Sequence, residues 1–257
     1  MFSRKIIFKK RYDDMKEELK EKLRPLLQPG CLFYTGGKGF ISKVVIYGQG
    51  RLDKTWTNAI SHVMFVGNDG CIHESCITVG KNFKTGKKAY VSGVHIRPIE
   101  QWLNEAGKED FAFTLVQKLD NITDEQIAKI CEKSKSLKAK NMGYPVKELI
   151  GTLFASWNYN FAGLFKKINP KGVSKWQAKI LSKENPLNND NAMYCIAFAA
   201  HCFSAGGINI LPDGINETVC KVGDGLKRKQ LGYKLFFIKP PFVDYVKEPG
   251  KDFDFNL

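Results

Sequence analysis

The sequence predicts an α+β fold, an antiparallel sheet packed on helices. Three observations point there. The strongest strand pattern is a hairpin, with Ala59 to Val66 and Cys71 to Val79 flanking the turn residues Gly67-Asn68-Asp69-Gly70. Thr123-Asp124-Glu125-Gln126 carries the N-cap and first-turn chemistry of a helix. A third segment, from Ala192 onward, is an apolar run that stops at Gly206-Gly207, as helices commonly do.

The elements follow in order. Residues 1–28 form a basic segment and a helix: Met15, Leu19, Leu23 and Leu27 recur at helical spacing, and Pro25 and Pro29-Gly30 end the pattern. Cys31-Leu32-Phe33-Tyr34 reads as a short strand. The cluster Gly36-Gly37-Lys38-Gly39 breaks it; without a Gly-Lys-Ser/Thr ending, it is expected to be a plain turn rather than a phosphate loop. Phe40 to Tyr47 resumes as strand or short helix. After the hairpin come a polar, basic tip (Lys81 to Lys88), a strand (Ala89 to Ile96), a short helix (Ile99 to Ala106) and another strand (Phe111 to Leu119). The capped helix runs to about Lys140 and ends before Gly143-Tyr144-Pro145. Residues 146–190 are rich in aromatics, among them Phe154, Trp157, Phe165 and Trp176, and are expected to be short helices covering the core. The last elements are a cysteine-bearing helix over 191–205, a strand from Lys234 to Lys239, and a loose tail over 241–257. The main domain is thus expected over 29–240.

A chain of 257 residues buries a sizeable core. Its formal net charge of +14 points to an anionic environment such as nucleic acid, a phospholipid surface or an acidic wall polymer. The lysines are scattered rather than striped, which argues against a specific nucleic-acid interface. No stretch approaches the roughly 18 apolar residues of a membrane span. Within Met1 to Lys10 the only apolar run is Ile6-Ile7-Phe8, too short for a secretory signal. The expected place is therefore the cytoplasm, or a virion assembled there. Seven cysteines, an odd number without framework spacing, are expected to be reduced thiols.

Two distant segments carry the chemistry. Cys195 follows Asn188-Asn189-Asp190-Asn191, a cluster of N-cap candidates that would set its sulfur near the positive end of a helix dipole. A thiol needs such help, because the attacking species is the thiolate and the free thiol has a pKa of roughly 8.5. Exposed N–H groups at the same helix start could hold an oxyanion. His62, on the first hairpin strand, would be the general base. Its orienting partner would come from the second strand: a three-residue turn sets Glu74 opposite His62, whereas a two- or four-residue turn presents His73 or Ser75. A metal reading fares worse. In Cys71-x-His73-x-x-Cys76, residues 71 and 73 face one way and 76 the other, and the neighbours His201 and Cys202 diverge on a helix. Neither a metal nor a cofactor is expected.

Several motifs resemble those of the permuted papain-like hydrolases, the YaeF/YiiX-type amidases related to NlpC-type cell-wall peptidases and lecithin:retinol acyltransferase-like enzymes. Gly30-Cys31-Leu32-Phe33-Tyr34, the segment Gly39 to Val44, Ser61-His62-Val63 with its Gly-ended strand, and the Glu74 strand follow that pattern in order. So do Gly143-Tyr144-Pro145 after a helix, and Tyr194-Cys195-Ile196 through Gly207-Ile208. Histidine precedes cysteine, the reverse of papain, as a circular permutation requires. The likeness spans about residues 29–212, with 146–190 as a helical insertion. Ile196 stands where the family has serine, Cys31 where it has an acidic residue, and Pro145 interrupts the Tyr-Asp motif. The resemblance implies a permuted papain-like core with Cys195 as nucleophile, His62 as base and Glu74 as orienting residue. The expected activity is hydrolysis of an amide, in a peptide or a peptidoglycan fragment. The alternatives are acyl chemistry on a lipid substrate at an anionic membrane, and a catalytically silent, virion-structural binding protein.

Overall fold

The computed structural model describes residues 17, 20–37, 42–43, 45–46, 60–81, 88–106, 111–145, 192–211, 222, 233–238 and 245–247. The insertion expected at 146–190 and the basic tip at 82–87 lie outside them. Strands β1 (Leu32–Gly37), β2 (His62–Val66), β3 (Cys71–Lys81), β4 (Lys88–Pro98), β5 (Phe111–Leu119), β6 (Tyr233–Ile238) and β7 (Tyr245–Lys247) form one sheet in the order β4-β3-β2-β1-β5-β6-β7. Every neighbouring pair is antiparallel. Among the described residues, helices α1 (Ile99–Ala106), α2 (Asp124–Ala139) and α3 (Cys195–Ala205) are described over their full length, and 20–23 are also helical, continuing into a 3-10 turn over Arg24–Leu26. The α+β architecture thus matches its expectation. Among the described residues no helix is long and apolar enough to cross a membrane.

The sheet is covered on both faces, and period-2 alternation distributes its side chains between two cores. Leu32, Tyr34, Val63, Phe65 and Leu115 face Ile130 and Leu137 of α2 and Phe198, Cys202 and Phe203 of α3. Phe33, Met64, Val66, Ile72 and Val116 face Leu23, Leu27, Trp102 and Leu103. In α2 the buried Ile127, Ile130, Cys131, Ser134 and Leu137 recur at helical spacing, forming one stripe. A reciprocal capping box between Thr123 and Gln126 starts that helix at the expected place.

Three expectations change. The glycine cluster is not a turn from its first residue: β1 continues through Gly36 and Gly37, with an irregularity between them against β5. Residues 245–247, placed in a loose tail, form β7 on the outer side of β6. The cysteine helix begins at Cys195, later than 191. Its N-cap is Tyr194, whose side chain makes no capping hydrogen bond, and Asn188 to Asn191 lie outside the described residues. Ala192 instead bridges to Gly143, and the Met193 N–H donates to the Gly143 carbonyl at 3.0 Å.

Candidate active site

The β2–β3 turn sets the register on which the site depends. The Gly67 N–H donates to the Cys71 carbonyl at 2.9 Å, closing a three-residue turn, Asn68-Asp69-Gly70. Gly70 takes φ +69°, the left-handed conformation that hairpins of this length place at their third residue. The turn has the length that would select Glu74, but it sits one residue later than a Val66-closed turn. Glu74 therefore lies opposite Met64, diagonal to His62 rather than directly across from it. A two-residue shift preserves the face, and the diagonal is bridged by a long side chain. His62 Nε2 lies 2.7 Å from Glu74 Oε2.

The rival residues go elsewhere. His73 points to the other face, stacked on Phe65 with ring centroids 5.0 Å apart. The Ser75 hydroxyl donates to the Met193 carbonyl at 2.7 Å, anchoring the segment that leads into Cys195.

With Nε2 engaged by Glu74, His62 also lies close enough to Cys195 for the thiol to act on its protonation. The structure thus brings Cys195, His62 and Glu74 together. Cys195 is buried at the first residue of α3, where backbone N–H groups have no partner within the helix. Burial disfavours charge on His62, but hydrogen bonds to Cys195 and Glu74 and the charges of both outweigh it, raising its pKa to about 10. Burial likewise opposes the Glu74 carboxylate, yet His62 and Arg97 hold its pKa down to about 2. Only 3% of the Glu74 side chain is exposed, so both charges are needed to keep it ionised.

Arg97 was not evident from the sequence. Its guanidinium donates through Nη2 to Glu74 Oε1, leaving Oε2 for His62. The β3–β4 ladder pairs Glu74 with His95, so Arg97 stands diagonal to the carboxylate, as His62 does on the other side. The available signal was an arginine two residues along a strand from a histidine, in a hairpin whose partner carries a lone glutamate. Tyr144 is the second addition. Its ring meets that of Tyr194 edge-on, with centroids 5.8 Å apart. Burial, then the neighbouring charge of Cys195, push its phenol well above the ordinary range, so it remains an O–H donor beside the thiol.

The constellation is a thiol at a helix start, an imidazole between it and a carboxylate, and a guanidinium behind the carboxylate. Such a set can form a thiolate–imidazolium pair and pass a proton to a leaving group. No protein-family model matches the chain, and no curated protein matches it.

Proposed function

We propose that this chain is a cysteine hydrolase of the permuted papain-like type, cleaving an amide bond in a peptide or peptidoglycan stem. The observation that carries this reading is the His62 ring, hydrogen-bonded to Glu74 and close enough to Cys195 for the thiol to raise its pKa. In the proposed reaction the Cys195 thiolate attacks the carbonyl carbon, and the resulting oxyanion is met by N–H groups at the start of α3, with the Tyr144 hydroxyl as a further donor. His62 gives its proton to the departing amine, leaving a thioester on Cys195. Neutral His62 then takes a proton from water, whose oxygen attacks the thioester. The acid leaves and the thiolate–imidazolium pair returns. Glu74 orients the ring and balances its charge in the first half of the cycle.

The formal charge of +14 favours a second reading with the same covalent step, in which the acyl group comes from a lipid at an anionic membrane. All six cysteines among the described residues are free thiols. This supports a reducing location, the cytoplasm or a virion assembled within it.

An acyl probe tests the reading directly. A thioester or activated-amide probe should become covalently attached to wild type and not to Cys195→Ala. Iodoacetamide at mildly acidic pH should label Cys195 before the other cysteines. Probe capture that survives in His62→Ala would sink the dyad, and equal labelling of all thiols would leave a binding protein. Flotation with anionic liposomes that persists in high salt would select the lipid substrate over the peptide.

A further inference from the structure

A second cluster lies at the turn end of the β2–β3 hairpin, where the proposed chemistry does not use it. Asp69 from the turn, His73 from β3 and Cys131 from α2 offer an oxygen, a nitrogen and a sulfur, all within 4.8 Å of one another. They converge on the space beside Gly67. A Cβ built there would lie 2.5 Å from Asp69 Oδ1, 2.5 Å from His73 Nε2 and 2.9 Å from Cys131 Sγ. Only glycine leaves that space to the three donors.

The remaining atoms of the donors are held as the outer shell of a metal site holds its ligands. His73 Nδ1 lies 2.8 Å from the Ser134 hydroxyl, which fixes the ring and turns Nε2 toward the cluster. Asp69 Oδ2 pairs with Lys135 Nζ at 2.8 Å, while Asp69 Oδ1 and His73 Nε2 face each other at 3.0 Å, a contact that an ion seated between them would replace. Cys131, Ser134 and Lys135 stand at i, i+3 and i+4 on α2, so one helix face supplies one donor and braces the other two. Cys71 lies two residues before His73, with its thiol 3.6 Å from the Asp69 carbonyl. Through the partly exposed Asp69, a fourth position is open to solvent.

We propose that Asp69, His73 and Cys131 form a site for a divalent zinc ion, clipping the β2–β3 turn to α2. Mixed N, O and S donors are the chemistry zinc takes in tetrahedral sites, whereas calcium and magnesium require oxygen alone. On binding, the ion would displace the proton of the Cys131 thiol. The clip would brace the hairpin whose other end carries His62 and Glu74.

Cobalt(II) titration of the full chain tests this, in a Cys195→Ser background so that the Cys195–His62–Glu74 cluster contributes no thiolate. One equivalent should produce a thiolate-to-cobalt charge-transfer band, which zinc abolishes, and zinc should raise the Tm. Cys131→Ser should remove the band. Asp69→Asn, a change at the turn surface that spares the core, should weaken cobalt binding tenfold or more while the far-ultraviolet circular dichroism stays unchanged. Absence of the band in folded protein, its persistence in Cys131→Ser, or unchanged affinity in Asp69→Asn would each overturn the proposal.

Discussion

Replacing Glu74 by glutamine removes one charge from the centre of a row of three, His62, Glu74 and Arg97, and changes little in shape. A carboxyl held at about 2 rather than 4.5 corresponds to about 3 kcal/mol of folding free energy, since one pKa unit is roughly 1.4 kcal/mol. The figure agrees with the cost of about 3–5 kcal/mol for removing one partner of a buried ion pair. The sign follows from the direction. Because the folded-state pKa of Glu74 is depressed, its contribution is complete above pH 4.5 and disappears as pH falls toward 2. His62 behaves oppositely: its raised pKa gives stability that is complete below 6.5 and lost as pH rises toward 10. Urea unfolding of wild type and Glu74→Gln from pH 3 to 9 reads both flanks. The variant should lose about 3 kcal/mol at pH 7 by the linkage above. Its deficit should shrink through the acid window, and its alkaline flank should flatten while the Cys195 share remains. An unchanged unfolding midpoint at pH 7, or an acid flank as steep as wild type, would refute the charge-row account.

Two further substitutions probe how Cys195 is presented. Gly93 has φ +129°, and a Cβ there would stand 2.5 Å from the Met142 carbonyl oxygen, which accepts from Val94 N–H. Gly93→Ala should therefore cost about 1–3 kcal/mol in thermal or urea unfolding. It should also slow Cys195 alkylation, because Gly143 and Tyr144 follow directly on Met142. Ser75→Ala removes the donor to the Met193 carbonyl and should lower stability by about 1 kcal/mol. Its selectivity for Cys195 over the other thiols should fall; unchanged selectivity would mean that the Met193 anchor does not position the helix start.

Local patterns were legible where one segment contains all its own determinants. Ile99 to Ala106 and Phe111 to Leu119 match α1 and β5, and Thr123 with Gln126 makes the capping box their spacing suggests. Features that depend on a distant partner were not. The start of α3 was misplaced because four successive Asn and Asp residues imitate an N-cap, while the chain from Ala192 to Met193 is claimed by Gly143, some 50 positions earlier in sequence. Residues 245–247 carry little strand pattern alone and become β7 because β6 offers an edge.

The register shows how two residues can be brought together on a different pairing from the expected one. Turn length was the variable on which the choice among His73, Glu74 and Ser75 rested, and three residues is the length observed. The position of the turn moved by one residue, and that changed the pairing by two. Since strand faces alternate with period 2, such a shift exchanges direct for diagonal neighbours and leaves each side chain on its face. Glutamate tolerates the exchange because its length spans the diagonal, and the same reach lets Arg97 approach it from β4. A shift of one would have sent Glu74 to the side where His73 now stacks on Phe65, placing an unpaired carboxylate in the core. Burying Glu74 without a cation would be costly, and this constraint disfavours the odd registers independently of the turn. The Glu74–His62–Arg97 row therefore acts as a register lock for the hairpin as well as a row of charges beside Cys195. On this reasoning Glu74→Gln relaxes the penalty for a slipped pairing as well as weakening the native state.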